Sequence, residues 1–154
     1  MIRKIQAEDR PIYLKMAKNF YSSDAVQHNV PERYFVYTFD ELMRSDDYAV
    51  GFILEYKNNA AGYALLAKTF SQEAGGMVLW IDELYVMPEY RGHGLAHEFF
   101  AYLKNNLQDN VKRIRLEVED KNKKAISLYE KIGFDDLPYS QMIMDINDDC
   151  SHLM

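Results

Sequence analysis

The sequence predicts an α/β (α+β in some schemes) domain, a mixed sheet flanked by helices and spanning residues 1–154 as one unit. Three observations predict it. Apolar residues recur with two periods, about 2 and about 3.6, which switch along the chain in the order β-α-α-β-β-β-α-β-α-β. A glycine pair, Gly92 and Gly94, stands where an apolar strand stops and an apolar helical stripe begins. Of the 154 residues 48% are apolar, with 12 Tyr and 8 Phe, so there is enough material for a core and the composition is not that of a disordered chain.

The elements follow in order. Ile2 to Gln6 reads as a short strand. Asp9 and Pro11 mark a helix start, since Pro in the first turn sacrifices no needed hydrogen bond, and Tyr13, Met16, Ala17 and Phe20 then fall at helical spacing. The run SSDAVQHNVPER breaks that pattern, and a second helix is expected from Pro31 to Met43 with Tyr34, Phe35, Phe39 and Leu42 on its apolar side. Tyr48 to Tyr56 and Gly62 to Thr69 read as a hairpin, because Asn in the intervening KNNA tolerates positive φ. Met77 to Val86 is a long third member of that sheet, with Asp82 and Glu83 set inside it. Leu95, Phe99, Phe100, Leu103 and Leu107 share one helical face. Arg113 to Glu119 alternates, with Ile114, Leu116 and Val118 facing one way. Ala125, Ile126, Tyr129 and Ile132 line a short helix closed by Gly133, and Gln141 to Ile146 is expected to form a last strand before an acidic tail.

The net charge of −6 argues against a phosphate-contacting nucleic-acid binder and suits a cationic ligand or simple solubility. The single cysteine, Cys150, allows no internal disulfide, and no cluster of ligands suggests a metal. The N-terminal run lacks a signal-peptide core and no stretch approaches the roughly 20 apolar residues of a membrane span, so the expectation is a cytoplasmic protein with no membrane partner.

The glycine turn offers the first functional signal. A loop that feeds a helix N-terminus presents unpaired N–H groups and the positive end of a helix dipole, a combination that binds anions. No G-x-x-x-x-G-K-[ST] run exists, and His97 stands where a dinucleotide-binding fingerprint has its third glycine. A lone G-x-G is weak evidence, and by itself the turn is only a turn.

Its neighbours carry a resemblance. Arg91-Gly92-His93-Gly94-Leu95-Ala96 fits [QR]-x-x-G-x-[GA], and Asn122, Ala125, Leu128, Tyr129, Gly133 and Phe134 fit N-x-x-A-x-x-L-Y-x-x-x-G-F. Together they resemble the two motifs of the GNAT superfamily (Gcn5-related) of N-acetyltransferases. The specific likeness spans Leu79 to Phe134, and before it only the order of elements agrees. The resemblance implies a mixed, mostly antiparallel sheet and acetyl-CoA as cosubstrate, without a metal. It further implies that the amides of Gly92 to His97, with Arg91 at the rim, hold the coenzyme A pyrophosphate. The splayed strand at Leu84, Tyr85 and Val86 would pair with the pantetheine arm, Asn122 would lie near that arm, and Tyr129 near the sulfur.

The chemistry narrows the catalytic candidates. A primary amine has a pKa of roughly 10.4 and must lose a proton before it attacks a thioester. Asp82 is the first candidate for base or amine anchor and Glu83 the second; in a regular strand they face opposite ways unless a bulge intervenes. Tyr129 is the candidate acid for the departing thiolate. His93 and His97 are expected to act through their backbone N–H groups, while His28 reads as a surface histidine in the segment that shapes the acceptor side. Tyr34 or Tyr37 with Asp24, Glu32 and Asp82 would make an acidic, aromatic amine pocket. The resulting expectation is direct transfer, through a tetrahedral intermediate, to a small cationic amine of polyamine or aminoglycoside type. The alternatives are a protein or peptide amine as acceptor, or a non-catalytic acyl-CoA-binding module. Apolar edges such as QMIMDI permit a homodimer.

Overall fold

The computed structural model describes residues 1–23 and 30–146. His28 and Asp24, named above as acceptor-side candidates, and Cys150 fall outside the described residues. Among the described residues five strands form one sheet in sequence order: β1 (Ile2–Lys4), β2 (Ala49–Tyr56), β3 (Asn59–Ser71), β4 (Gly76–Val86) and β5 (Val111–Leu116). The first four pair antiparallel, and β4 with β5 pairs parallel. The helices are α1 (Arg10–Tyr21), α2 (Glu32–Arg44), α3 (Leu95–Asn105) and α4 (Lys123–Ile132). None of the described helices is long and apolar enough to cross a membrane.

Two apolar layers sandwich the sheet. On one face Tyr13, Met16 and Ala17 of α1 and Phe35, Phe39 and Leu42 of α2 pack on Ile53, Tyr63, Leu65 and Tyr85. On the other, Leu95, Phe99, Phe100 and Leu103 of α3 pack on Leu54, Ala64, Leu66, Leu79 and Ile81, with Tyr129 and Ile132 of α4 at the margin. Each fully buried side chain of the size of Phe99 contributes about 1.5–3 kcal/mol relative to exposure. The β2–β3 turn uses Lys57 and Asn58 at φ +48° and +66°, the mirror-image turn whose twist matches a two-residue hairpin.

Two sequence expectations are corrected. The alternating run through Val118 is shorter as a strand: pairing stops at Ile81↔Leu116, and Glu117 to Glu119 leave the sheet. The last strand, Gln141 to Ile146, has no ladder partner among the described residues, and Met142, Ile143, Met144 and Ile146 are exposed, Met142 at 96%. Alternation and apolarity made it strand-like, but a strand also needs an edge within reach. The chain after α4 is held at Tyr139, whose hydroxyl donates to Glu73 in the β3–β4 turn (3.1 Å), and from there it leaves the body of the fold.

Candidate active site

The site begins with an irregularity in β4. Leu65 pairs with Glu83 and Leu66 with Ile81, so Asp82 is an extra residue without a partner on β3. The bulge changes which face each side chain meets. Leu79 and Ile81 before it join the α3 layer, and so do Leu84 and Val86 after it, while Tyr85 joins the α1–α2 layer. Asp82 and Glu83 therefore do not diverge to opposite sides of the sheet; both line one cavity. Beyond the bulge β4 has no β5 partner, and the sheet opens between the two parallel strands.

Two cavities occupy this opening. The first, about 840 Å³, is walled by Phe20 and Tyr21 at the end of α1, by Asp82 and Glu83, and by Glu117 and Glu119 beyond β5. The second, about 740 Å³, runs from Leu84, Tyr85 and Val86 along the turn before α3 to α4. They meet at Phe20, Leu84, Asn122 and Tyr129, which line both.

The second cavity assembles most residues expected to touch the cofactor. Arg91, Gly92, Gly94, Leu95, Ala96 and His97 form its rim. Gly92 and Gly94 take φ of +81° and +77°, and the space in front of each Cα is open. Any other residue would be strained there and its Cβ would project into that space. Gly94 is the N-cap of α3 and offers no capping side chain, so the first-turn amides of α3 remain free for an outside acceptor. A phosphate-bearing ligand fits such a cradle. Arg91 stays close by, its Nε donating to the Val86 carbonyl at 3.0 Å. His93 is not part of the wall: its Nδ1 lies 3.0 Å from the Tyr90 carbonyl and its ring packs on Tyr56 at 4.4 Å. Asn122 caps α4, accepting from the Ala125 amide at 3.2 Å, so its motif position has a structural task as well as a place on both walls. The half-buried Tyr129 ring is fixed by edge contacts with Phe100 and Phe134, each at 5.9 Å, and burial pushes its phenol pKa up.

The first cavity is acidic. Burial pushes the Glu83 carboxyl above its ordinary value; the Tyr63 and Tyr21 hydroxyls oppose that shift, and the like charge of Asp82 adds a smaller push upward. Tyr63 of β3 donates to Oε1 at 2.6 Å and Tyr21 of α1 to Oε2 at 3.0 Å. Asp82 is open to the cleft, yet the protein around it and, second, the nearby Glu117 also hold its pKa high. No group of side chains suited to a metal occurs among the described residues.

The aromatic border differs from expectation. Tyr34 and Tyr37 stack on each other on the exposed side of α2, Glu32 pairs with Lys18, and none of the three lines either of these two cavities. The aromatic walls are Phe20 and Tyr21 instead. Tyr21, Tyr63, Glu117 and Glu119 went unnoticed in the sequence. Tyr63 alternates with core residues like any buried strand tyrosine, and only its distance to Glu83 marks it out.

Comparison with known proteins places this architecture. The family model for the acetyltransferase (GNAT) family matches residues 11–134. The chain belongs to that family. Among curated GNAT relatives, thialysine N-epsilon-acetyltransferase of Mus musculus is 36% identical over 81 residues, 52% of this chain and 47% of the relative. Spermine/spermidine N(1)-acetyltransferase of Bacillus subtilis (strain 168) is 28% identical over 85 residues, 53% and 56% of the two chains. The match thus spans about half the length of these relatives. Among solved GNAT structures, AAC(6′)-Iy in complex with a CoA bisubstrate analogue superposes with a TM-score of 0.78 at 14% identity, covering 96% of this chain and 98% of that one. At that identity the likeness is one of fold.

Proposed function

We propose that this GNAT domain transfers the acetyl group of acetyl-CoA to the primary amine of a small cationic molecule, such as a polyamine or a lysine-like amino acid. The observation that carries the reading is the junction of the two cavities at Tyr129. On one side lie backbone amides suited to a pyrophosphate, and on the other a wall of carboxylates suited to an ammonium group. The named activities of the thialysine and spermine/spermidine relatives support a small amine acceptor.

When bound, acetyl-CoA supplies the activated acetyl group. Amides from Gly92 to His97 and the Arg91 guanidinium would hold its pyrophosphate, and the edge of β4 at Leu84 to Val86, unpaired towards β5, would receive its arm. Asp82 and Glu117 draw the cationic amine into the first cavity. Glu83 accepts the proton that the amine must lose, directly or through a water. Its proton affinity is raised by burial, which suits a base working near neutral pH. Asp82, the first candidate from sequence, becomes the anchor because it stands open at the bulge, while Glu83 is held by two donors. A Tyr129 phenol that keeps its proton is fit to donate to the departing thiolate.

Thiol release from acetyl-CoA across a panel of spermidine, thialysine, lysine, an aminoglycoside and a lysine peptide tests the proposal. Turnover with the small amines and little with the peptide is expected. Preference for the peptide would move the acceptor to proteins, and tight coenzyme A binding with no acceptor-dependent release would make this a non-catalytic module.

We also propose a homodimer, working in the cytoplasm, in which residues 141–146 of each copy add to the free edge of the other copy's β5. The apolar run is exposed, β5 is paired on one side only, and its Lys112, Arg113 and Arg115 suit a segment carrying Asp145. Light scattering should give twice the chain mass, and truncation after Tyr139 should give a monomer; a monomeric full chain would sink this assembly.

A further inference from the structure

The Glu83 carboxylate is clamped at both oxygens by phenols from two different elements, and this arrangement says more than that Glu83 is a base. We propose that Tyr21 and Tyr63 are positioning residues that fix the orientation and the protonation of Glu83, with Tyr63 as a rigid anchor and Tyr21 as a donor that also meets the acceptor amine. This rests on Glu83 being the proton acceptor proposed above.

The two donors differ in setting. Tyr63 is 0% exposed, and its ring is locked edge-on against Tyr13 at 5.2 Å and tilted against Tyr85 at 5.9 Å. Its 2.6 Å bond to Oε1 therefore comes from a side chain with no freedom to swing. Tyr21 is the last residue of α1, packs on Phe20 and Phe35, and is itself part of the first cavity's wall. With one oxygen held by each, the carboxylate plane is fixed, and its remaining lone pairs are the ones an ammonium or a bridging water can use.

The electrostatics agree with this division. The titratable groups around Glu83 are Tyr13 and Tyr21 from α1, Tyr63 from β3 and Asp82 from β4; Glu117, beyond β5, faces Asp82, and the core residues Phe35 and Phe39 that α2 presents are apolar. Burial and the Glu83 charge push the phenol pKa values of Tyr21 and Tyr63 well up, so both stay protonated donors at any working pH. Burial and Asp82 raise the Glu83 pKa, and the two phenols oppose them. The active form is the carboxylate, lost as pH falls through that raised pKa. Removing a donor raises the pKa further, so the acidic limb of the rate profile must move to higher pH.

The test is the pH profile of kcat/KM with acetyl-CoA and the best amine from the panel, for wild type, Glu83→Gln, Tyr21→Phe and Tyr63→Phe. Both Phe variants should move the acidic limb up by about one pH unit, the size of one charge-assisted hydrogen bond. Tyr63→Phe should lower kcat at neutral pH and leave the amine KM within about twofold. Tyr21→Phe should in addition raise the amine KM about fivefold, as expected for a lost wall contact of ~1 kcal/mol. Glu83→Gln should abolish the limb. A limb that persists in Glu83→Gln overturns Glu83 as the base. A limb lost there but unmoved in both Phe variants overturns the clamp alone. A Phe variant that loses thermal stability with its limb in place would mark its tyrosine as structural packing only.

Discussion

The two cavities that meet at Tyr129 are built in opposite ways. The one beside α3 is built from backbone: two glycines with positive φ, a helix N-terminus without a capping side chain, and a strand edge without a partner. The one beside β5 is built from side chains gathered from α1, β3, β4 and the segment after β5. A backbone site suits a ligand part that every member of a family shares. A side-chain site can be rebuilt residue by residue around a different acceptor while the sheet stays the same.

Tyr129→Phe probes the junction and carries the largest expected effect. The loss of an acid lowers kcat by about 10²-fold, near the lower end for general acid–base groups. Coenzyme A affinity, read by calorimetry, stays within about twofold; a large loss there would make Tyr129 a cofactor contact rather than an acid. Gly94→Val should damage the backbone cavity alone. The left-handed φ at this position and a valine side chain standing in the otherwise open cradle together cost ~2 kcal/mol, about thirtyfold in coenzyme A affinity. Unchanged affinity would remove the phosphate reading of the turn. Asp82→Asn should touch only the side-chain cavity, raising the amine KM about fivefold for one exposed, screened charge contact of ~1 kcal/mol. An equal change in the coenzyme A constant would erase the distinction between the two sites.

A control lies outside both cavities. Asp9 is buried and held by Arg3 through two bonds of 2.8 Å and by the Gln6 amide at 2.8 Å, and the Arg3 bonds keep its pKa below the ordinary value. Its contribution to stability is therefore present above the ordinary carboxylate pKa and is lost as pH falls through the depressed one. Asp9→Asn should lower stability by about 2 kcal/mol in urea titration, less than a fully buried pair because Arg3 is partly exposed. Both ligand constants should stay unchanged.

The backbone half of the site was legible because it is written in contiguous residues. Arg91 to His97 lie in one turn, and Asn122 to Phe134 in one capped helix, so local spacing carries their geometry. The side-chain half was legible only in its two adjacent carboxylates. Their relative facing turned on a single unpaired residue in β4, and alternation cannot reveal a bulge, because the register belongs to the pair of strands. The order of elements and most of their cores were likewise readable from periodicity, from Tyr13 and Met16 to Phe99 and Leu103. The strand expected at Gln141 to Ile146 pairs with no strand among the described residues, since strand propensity says nothing about where a partner lies.

By itself the sequence determined the family, the layered α/β architecture, the glycine turn that opens α3 and the place of Tyr129 on α4, all features encoded over short distances where backbone preference and helical spacing act. The tertiary structure alone decided that Asp82 and Glu83 share one cavity, that Tyr21 and Tyr63 hold Glu83 from 62 and 20 residues away, and that Glu117 faces Asp82. Those contacts depend on which strands pair and where the sheet opens, and hydrogen bonds between distant segments fix that, not the residues on either side.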